Sequence, residues 1–336
     1  MLTEAALDRL TWRPATEADL PALARLFAAI EAVDRTGENY DESDLADDLA
    51  DPTLDAERDT LVAAGPDGEL WAYGAIRGSA TVLDTDRLWL DGGAHPALRG
   101  RGLGRRVLAW QEPRAVELHR ERHPQVPGQL LVGVYETVPT RQALVRRAGY
   151  EPVRWFHDMQ RYLAGELPPV PATPAGLRVV PFDPARDEAV RQAHREAFAG
   201  HWGSVPPDQE RWRHWYTGAR TFRPEVSLLV LDGDEVAAYL LSYFFAADAE
   251  ATGVRAAWVG QLGTRAAWRR RGLGTLLLAT ALARYREAGY QAARLDVDTE
   301  NGTGALGLYE RLGFTVDHRW VTWMKQVPTG PAAGRG

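Results

Sequence analysis

The strongest constraint on this chain is that it is written twice. Each half opens with a short strand-like piece, Leu10-Thr-Trp-Arg-Pro14 in one and Leu177-Arg-Val-Val-Pro181 in the other. A helical pattern follows each, through Leu20, Leu23, Leu26 and Phe27, and through Val190, His194, Ala197 and Phe198. Hairpin signals come next. Leu61 to Ala64 leads through Gly65-Pro-Asp-Gly68 to Leu70–Tyr73, and Leu228 to Leu231 leads through Asp232-Gly-Asp234 to Val236–Tyr239. The sharpest match is Arg99-Gly-Arg-Gly-Leu-Gly104 against Arg269-Arg-Arg-Gly-Leu-Gly274, each running into a helix. Leu103, Val107 and Trp110 mark one face of the first helix, and Leu273, Leu276, Leu277 and Ala281 one face of the second. A buried strand follows each, at Leu130–Val134 and Leu295–Asp298. Aligning Gly149 with Gly313 sets Glu136 against Glu300 with no gap between. Strands alternating with helices in this order predict a mixed α/β sheet for each half.

The stretch Ala164–Gly176 carries four prolines and no periodicity, which stiffens and extends a chain. The expected organisation is therefore an N-terminal domain over 1–165, a linker over 166–176 and a C-terminal domain over 177–326. A Pro/Gly-rich tail over 327–336 is expected to be disordered. With 336 residues, each half is long enough to bury its own core. The net charge of −7 argues against a general nucleic-acid binder and suits an amine substrate. With no cysteine, thiolate nucleophiles, disulfides and Cys-based metal sites are excluded. The opening residues lack the pattern of a signal peptide and no apolar run approaches membrane-spanning length, so a cytoplasmic location without membrane contact is expected. Lys325 is the only lysine, leaving 38 arginines among the 39 basic residues, which reads as codon bias rather than function.

Arg-x-x-Gly-x-Gly between a strand and a helix has a definite chemistry. Glycines bring backbone close to a ligand, and the helix start presents unpaired N–H groups and a positive dipole end to phosphate. Thr275 adds a hydroxyl, and Arg269, Arg270 and Arg271 add charge at the rim. No Gly-Lys-Ser/Thr follows, so this is not a Walker loop. A dinucleotide fingerprint fits badly, because Val107 and Leu277 stand where its third glycine belongs.

With Arg269–Gly274 followed by Asn301-Gly-Thr-Gly-Ala-Leu-Gly-Leu-Tyr-Glu-Arg-Leu-Gly-Phe314, the sequence resembles the GCN5-related N-acetyltransferases (GNATs). The resemblance is strong over 176–326 and moderate over 10–163, and the paired layout is similar to that of the mycothiol synthases. It implies an α/β fold of two tandem GNAT-like domains, each a mixed, mostly antiparallel twisted sheet flanked by helices. It also implies an N-acetyltransferase that takes acetyl from acetyl-CoA, gripping the cofactor's pyrophosphate at Arg269, Arg270, Arg271, Gly272, Leu273, Gly274 and Thr275. Backbone amides at Leu262, Gly263 and Thr264, where the fourth strand splays, would pair with the pantetheine arm, as would Asn301. Tyr309 matches the tyrosine that protonates the departing thiolate, and a phenol is a donor at neutral pH.

The first half departs from this pattern. Val145 stands opposite Tyr309 and Thr137 opposite Asn301, so the usual proton donor is missing. Its glycine turn survives through Arg99, Gly100, Arg101, Gly102, Gly104 and Arg105, so CoA binding there stays open. A degenerate, supporting N-terminal domain is expected beside a catalytic C-terminal one.

The general base is open. Strand four offers no carboxylate, only Gln261; Asp298 and Glu300 at the end of strand five are the candidates, acting through water, and an amine can also lose its proton to solvent unaided. His201 and Trp202, ahead of Trp212, Trp215 and Tyr216, are candidates to wall a substrate pocket. Each residue also has a plainer reading. Tyr309 can pack as a core aromatic, Asn301 can cap the late helix, the carboxylates can be surface groups, and the His201–Tyr216 cluster can be core. His119 and His123 lie four apart but lack a third ligand, so a surface helix without a metal site is expected. The expected acceptor is a primary amine on a small molecule; a peptide amine, or a non-catalytic acyl-CoA sensor, are the alternatives. Monomer and homodimer both stay open.

Overall fold

The computed structural model describes residues 10–302 and 304–328; of the tail expected over 327–336, only Val327 and Pro328 are among them. The described chain forms two compact units, one of residues 10–154 with 320–328 and the other of 155–319.

Within the first unit, β1 (Thr11–Arg13) leads into α1 (Leu20–Asp34), α2 (Glu42–Leu49) and the short α3 (Ala56–Asp59). Then come β2 (Thr60–Ala64), β3 (Leu70–Arg77), β4 (Asp86–Ala94), α4 (Leu103–Arg122), β5 (Gly128–Tyr135) and α5 (Pro139–Arg147). The strand β6 (Glu151–Tyr162) leaves this unit for the other. In the second unit β7 (Leu177–Pro181), α6 (Asp187–Ala197), α7 (Gln209–Trp215), β8 (Leu228–Asp232), β9 (Glu235–Tyr243) and α8 (Ala246–Thr252) are followed by β10 (Ala256–Thr264). After it come α9 (Leu273–Glu287), β11 (Ala292–Asp298) and α10 (Ala305–Arg311), and last β12 (Thr315–Gln326), which returns to the first unit.

The two sheets have the same order, β1-β2-β3-β4-β5-β12 and β7-β8-β9-β10-β11-β6. Each is antiparallel except for one parallel pair in its middle, β4 with β5 and β10 with β11. The sixth strand of each sheet comes from the opposite half of the chain. Tyr135↔Trp320 through Gln129↔Gln326 pair β5 with β12, and Asp298↔Phe156 through Ala292↔Tyr162 pair β11 with β6. One mixed sheet per half thus becomes one mixed sheet per unit. A repeat in sequence does not specify which sheet a final strand joins, because both halves offer the same open edge.

Apolar positions explain the layers. In the second unit Leu273, Leu276, Leu277 and Ala281 of α9 are buried against Leu228, Val230, Ala238, Leu240, Leu295 and Val297. On the opposite face, Val190 and Ala193 of α6 and Trp212 of α7 cover Leu229, Leu231, Tyr239, Leu241 and Tyr243. Alternation along β8 and β9 serves both cores at once, which is why these strands are buried along almost their whole length. Residues 166–176 form neither helix nor strand. Among the described residues no helix is long and apolar enough to cross a membrane.

Candidate active site in the second unit

The site begins where two strands part. β10 and β11 are paired only from Ala256↔Ala292 to Trp258↔Arg294, after which each continues without the other. Beyond that fork β10 keeps its antiparallel partner β9, from Gln261↔Leu241 to Thr264↔Ala238, so its other edge is open through Leu262, Gly263 and Thr264. A bulge at Val259/Gln261 bends the strand there. The glycines beside it are required by packing: a Cβ on Gly260 would lie 2.5 Å from the Tyr243 ring, and one on Gly263 would lie 2.5 Å from the Tyr239 ring and hydroxyl.

β10 runs into the turn Arg265–Gly272 and then α9. Arg270 (φ 62°) and Gly272 (φ 76°) both take the left-handed conformation, as Gly100 (φ 76°) and Gly102 (φ 93°) do at the matching places of the first unit. Gly272 caps α9 with no side-chain hydrogen bond, and the first bond into the helix runs from the Leu276 N–H to the Gly272 carbonyl. The N–H groups of Leu273, Gly274 and Thr275 therefore face outward at the positive end of the helix dipole. Among the described residues the exposed side chains of Arg270 and Arg271 make no ion pair or hydrogen bond.

Arg269 sits differently. Its guanidinium donates to the Thr264 carbonyl (3.2 Å) and the Ala197 carbonyl (3.1 Å), tying the turn to the end of β10 and of α6. Arg99 does the same in the first unit, donating to the Ala94 carbonyl (3.4 Å) and pairing with Asp34 on α1. The first arginine of each motif thus braces the turn through its side chain.

On the far side of the fork, α10 carries Tyr309, 8% exposed, with its ring against Phe314. Burial, with the negative charge of Asp296 second, pushes its phenol above the ordinary value, so it remains a proton donor at neutral pH. Val145, the corresponding residue of α5, is 1% exposed within an all-apolar cluster. Gly304 is the N-cap of α10, so Asn301 does not cap that helix; its N–H donates instead to the Asp298 carbonyl (3.2 Å). Asp298 is buried, and its carboxylate accepts the Glu300 N–H (3.0 Å), closing the turn after β11.

The face of the sheet under α6 and α7 holds the remaining candidates. Tyr243 donates to the Gln261 side-chain carbonyl at 2.8 Å. The loop after α6 packs Trp202 against Phe156 of β6, ring centroids 6.4 Å apart, with His201 beside it packing at a tilt on Phe198. His194, four residues from Phe198, is buried among aromatic rings with Nδ1 2.8 Å from the Tyr239 hydroxyl. Burial, then the charge of His201, pushes its imidazole down to about 4.

Asp296, which period-two alternation sets on the same strand face as Asp298, is not among the base candidates that the sequence yields. It lies two residues past the last β10–β11 rung, and its side chain reaches solvent. Burial, with Asp298 adding to it, raises its carboxyl, while His201 pulls the other way. Period-two alternation was the available signal; it placed Asp296 with Asp298 but could not tell which of them a turn would engage.

His119 and His123, expected on a surface helix, are both buried. His119 Nδ1 is 2.8 Å from Asp86, and His123 Nε2 is 2.9 Å from the Ser79 carbonyl. Among the described residues no group of His, Asp and Glu side chains is arranged to hold a metal ion.

The acetyltransferase (GNAT) family profile matches residues 188–314. A mycothiol acetyltransferase of Geodermatophilus obscurus is 31% identical over 326 residues, covering 95% of this chain and 96% of that one. A GCN5-related N-acetyltransferase from Sphaerobacter thermophilus has a structure similar to this one, with TM-score 0.76 and 29% identity over 96% of this chain and 98% of that one. A tandem GNAT protein from the clavulanic acid biosynthesis pathway shares the fold, with TM-score 0.67 and 19% identity over 96% of this chain and 99% of that one.

Proposed function

This chain belongs to the acetyltransferase (GNAT) family, and from that premise we propose that the second unit catalyses acetyl transfer while the first supports it. The reaction is N-acetylation of a small-molecule amine by acetyl-CoA. Bound acetyl-CoA supplies an activated acyl carbon and a thiol leaving group.

The residues fit such a ligand. The uncapped start of α9 and the two unengaged arginines beside it suit a pyrophosphate. Outward N–H groups of Leu273, Gly274 and Thr275 would hold its oxygens, with Arg270 and Arg271 adding charge. Arg269 acts through its brace on the turn rather than by direct contact. The open edge of β10 at Leu262, Gly263 and Thr264 suits an extended amide arm, with Asn301 across the fork. An N–H on that edge would polarise the thioester carbonyl as negative charge develops on its oxygen. Tyr309 holds its proton at Oη and donates it to the departing sulfur. Gln261, His201 and Trp202 line the acceptor side. In the first unit the turn of Arg99, Gly100, Arg101, Gly102, Gly104 and Arg105 repeats the backbone without the acid, which makes that unit a cofactor-holding or structural partner.

The observation that carries this reading is Tyr309, kept protonated beside the fork where the other unit has Val145. The relatives' name puts mycothiol-related amines first among acceptors to test. With any accepted amine, Tyr309→Phe is expected to lower kcat about 100-fold or more, the range for losing a positioned acid, with acetyl-CoA affinity retained. An unchanged kcat in Tyr309→Phe would remove the residue from the mechanism.

A further inference from the structure

We propose that Asp296, rather than Asp298, receives the acceptor amine, holding it as an ammonium and taking its proton so that the neutral nitrogen can attack. This rests on the acetyl-transfer reading above, and concerns which residue of that site meets the acceptor.

The registers place it. Residues directly opposite in an antiparallel pair point to the same side of the sheet, as Arg294 and Gln160 confirm by hydrogen bonding across β11 and β6 at 2.9 Å. Asp296 is opposite Asp158, and Asp298 is opposite Phe156. Phe156 packs on Trp202, so this is the face covered by the loop after α6, with His201 in it. Gln261 is opposite Leu241, which belongs to the α6/α7 core, so Gln261 faces the same way from the other arm of the fork. Leu295 and Val297 point to the opposite face, into the α9 core. The acceptor side of the fork is thus bordered by Gln261 on β10 and Asp296 on β11.

Chemistry separates Asp296 from its neighbours. Asp298 is buried and its Oδ1 already accepts the Glu300 N–H of the turn, so it is less open to an incoming amine. Gln261 has no basic atom, and its carbonyl is taken by Tyr243. Asp296 reaches solvent and, among the described residues, accepts no side-chain hydrogen bond. The charged and titratable groups around it are Asp158 on β6, Asp298 on β11, His201 in the loop and Tyr309 on α10. Desolvation raises the Asp296 carboxyl, which makes it a stronger base than a fully solvated aspartate, closer to what an amine requires.

The step balances. The ammonium first gives one proton to the Asp296 carboxylate, which passes it to water and leaves the nitrogen lone pair free; the nitrogen then bonds to the thioester carbon and a second N–H proton passes to Asp296. The C–S bond breaks with its electron pair on sulfur, which takes the Tyr309 proton. Asp296 then loses a proton to water and Tyr309 regains one.

The test compares wild type, Asp296→Asn, Asp296→Glu and Asp298→Asn on a panel of a diamine, an amino sugar and an aminothiol, following CoA release. Acetyl-CoA affinity by calorimetry and thermal melting report folding. Asp296→Asn is expected to lose about 100-fold or more in kcat/KM for the amine, the range for general-base removal. Its acetyl-CoA affinity and melting midpoint should stay near wild type, and Asp296→Glu should recover part of the rate. Asp298→Asn should lower the melting midpoint more than Asp296→Asn does. A folded Asp296→Asn with wild-type kcat/KM overturns the assignment while leaving acetyl transfer intact. Wild type that binds acetyl-CoA but acetylates no amine overturns both.

Discussion

Consider a methyl group placed on Gly263. Its carbon would lie 2.5 Å from Cε1, Cζ and Oη of Tyr239, where ordinary contact begins at 3.4 Å, a shortfall of 0.9 Å. Tyr239 cannot absorb it. Its ring is fully buried, and its hydroxyl is held 2.8 Å from Nδ1 of His194, itself stacked on Phe198 and packed on Trp212. The strand must therefore move, and overpacking of this kind destabilises by about 1–3 kcal/mol. For a unit of this size that lowers the melting midpoint by about 3–10 °C. The displaced segment is the open edge of β10, so function should suffer beyond stability. A shift near 1 Å in a positioning element lowers kcat/KM by about 10- to 100-fold. Gly200→Ala is the control, because nothing lies within 4 Å of its added carbon. The assay is thermal melting together with kcat/KM for CoA release at a temperature where all variants are folded. If Gly263→Ala melts within about 1 °C of wild type and keeps its kcat/KM within about twofold, the close approach of Tyr239 does not position this strand.

Three further outcomes are expected. Arg270→Gly should raise stability by about 1 kcal/mol, since a non-glycine residue at φ 62° is strained, while weakening acetyl-CoA binding through the lost charge; melting and calorimetry read the two separately. Arg114→Ala should destabilise by about 3–5 kcal/mol, because Asp59, 0% exposed and 2.9 Å from that guanidinium, would be left as an unpaired buried charge; urea unfolding measures it. His194, held near 4 against an ordinary 6.5, is neutral in the fold and protonates more readily when unfolded. Its contribution is complete above about pH 6.5 and declines as pH falls toward 4, so unfolding free energy should drop by about 2 kcal/mol between pH 7 and 5, a drop that His194→Gln should largely abolish.

Much of this molecule was legible in its residues, for identifiable reasons. β7 runs from Leu177 to Pro181 as the sequence reads, and the hairpins at Gly65–Gly68 and Asp232–Asp234 join the strands expected of them. Local turn chemistry and periodicity decide such elements. β6 and β12 were not legible. Glu151–Tyr162 and Thr315–Gln326 mix charges with aromatics instead of alternating cleanly, and their pairing across halves is a long-range event that no local pattern encodes. At the site, the glycine turn was readable because its backbone conformation demands those residues. The roles of side chains were less so. Arg269 turned inward to the Ala197 carbonyl and Asp296 came to lie just past the last β10–β11 rung through tertiary contacts, while Asp298 was engaged by the local turn after its strand.

The assignment of acetyl transfer to the second unit is tested most directly by one symmetric pair of variants. Gly274 and Gly104 occupy the same place in the two turns, and a Cβ on either meets only the end of a leucine side chain, Leu308 at 3.4 Å or Leu144 at 3.3 Å. Aspartate at either position sets a carboxylate where phosphate oxygens would lie. CoA release from acetyl-CoA with an accepted amine should fall by about 100-fold or more in Gly274→Asp and stay within about threefold of wild type in Gly104→Asp. The reverse pattern, with Gly104→Asp inactive and Gly274→Asp active, would place the chemistry in the first unit and contradict the account.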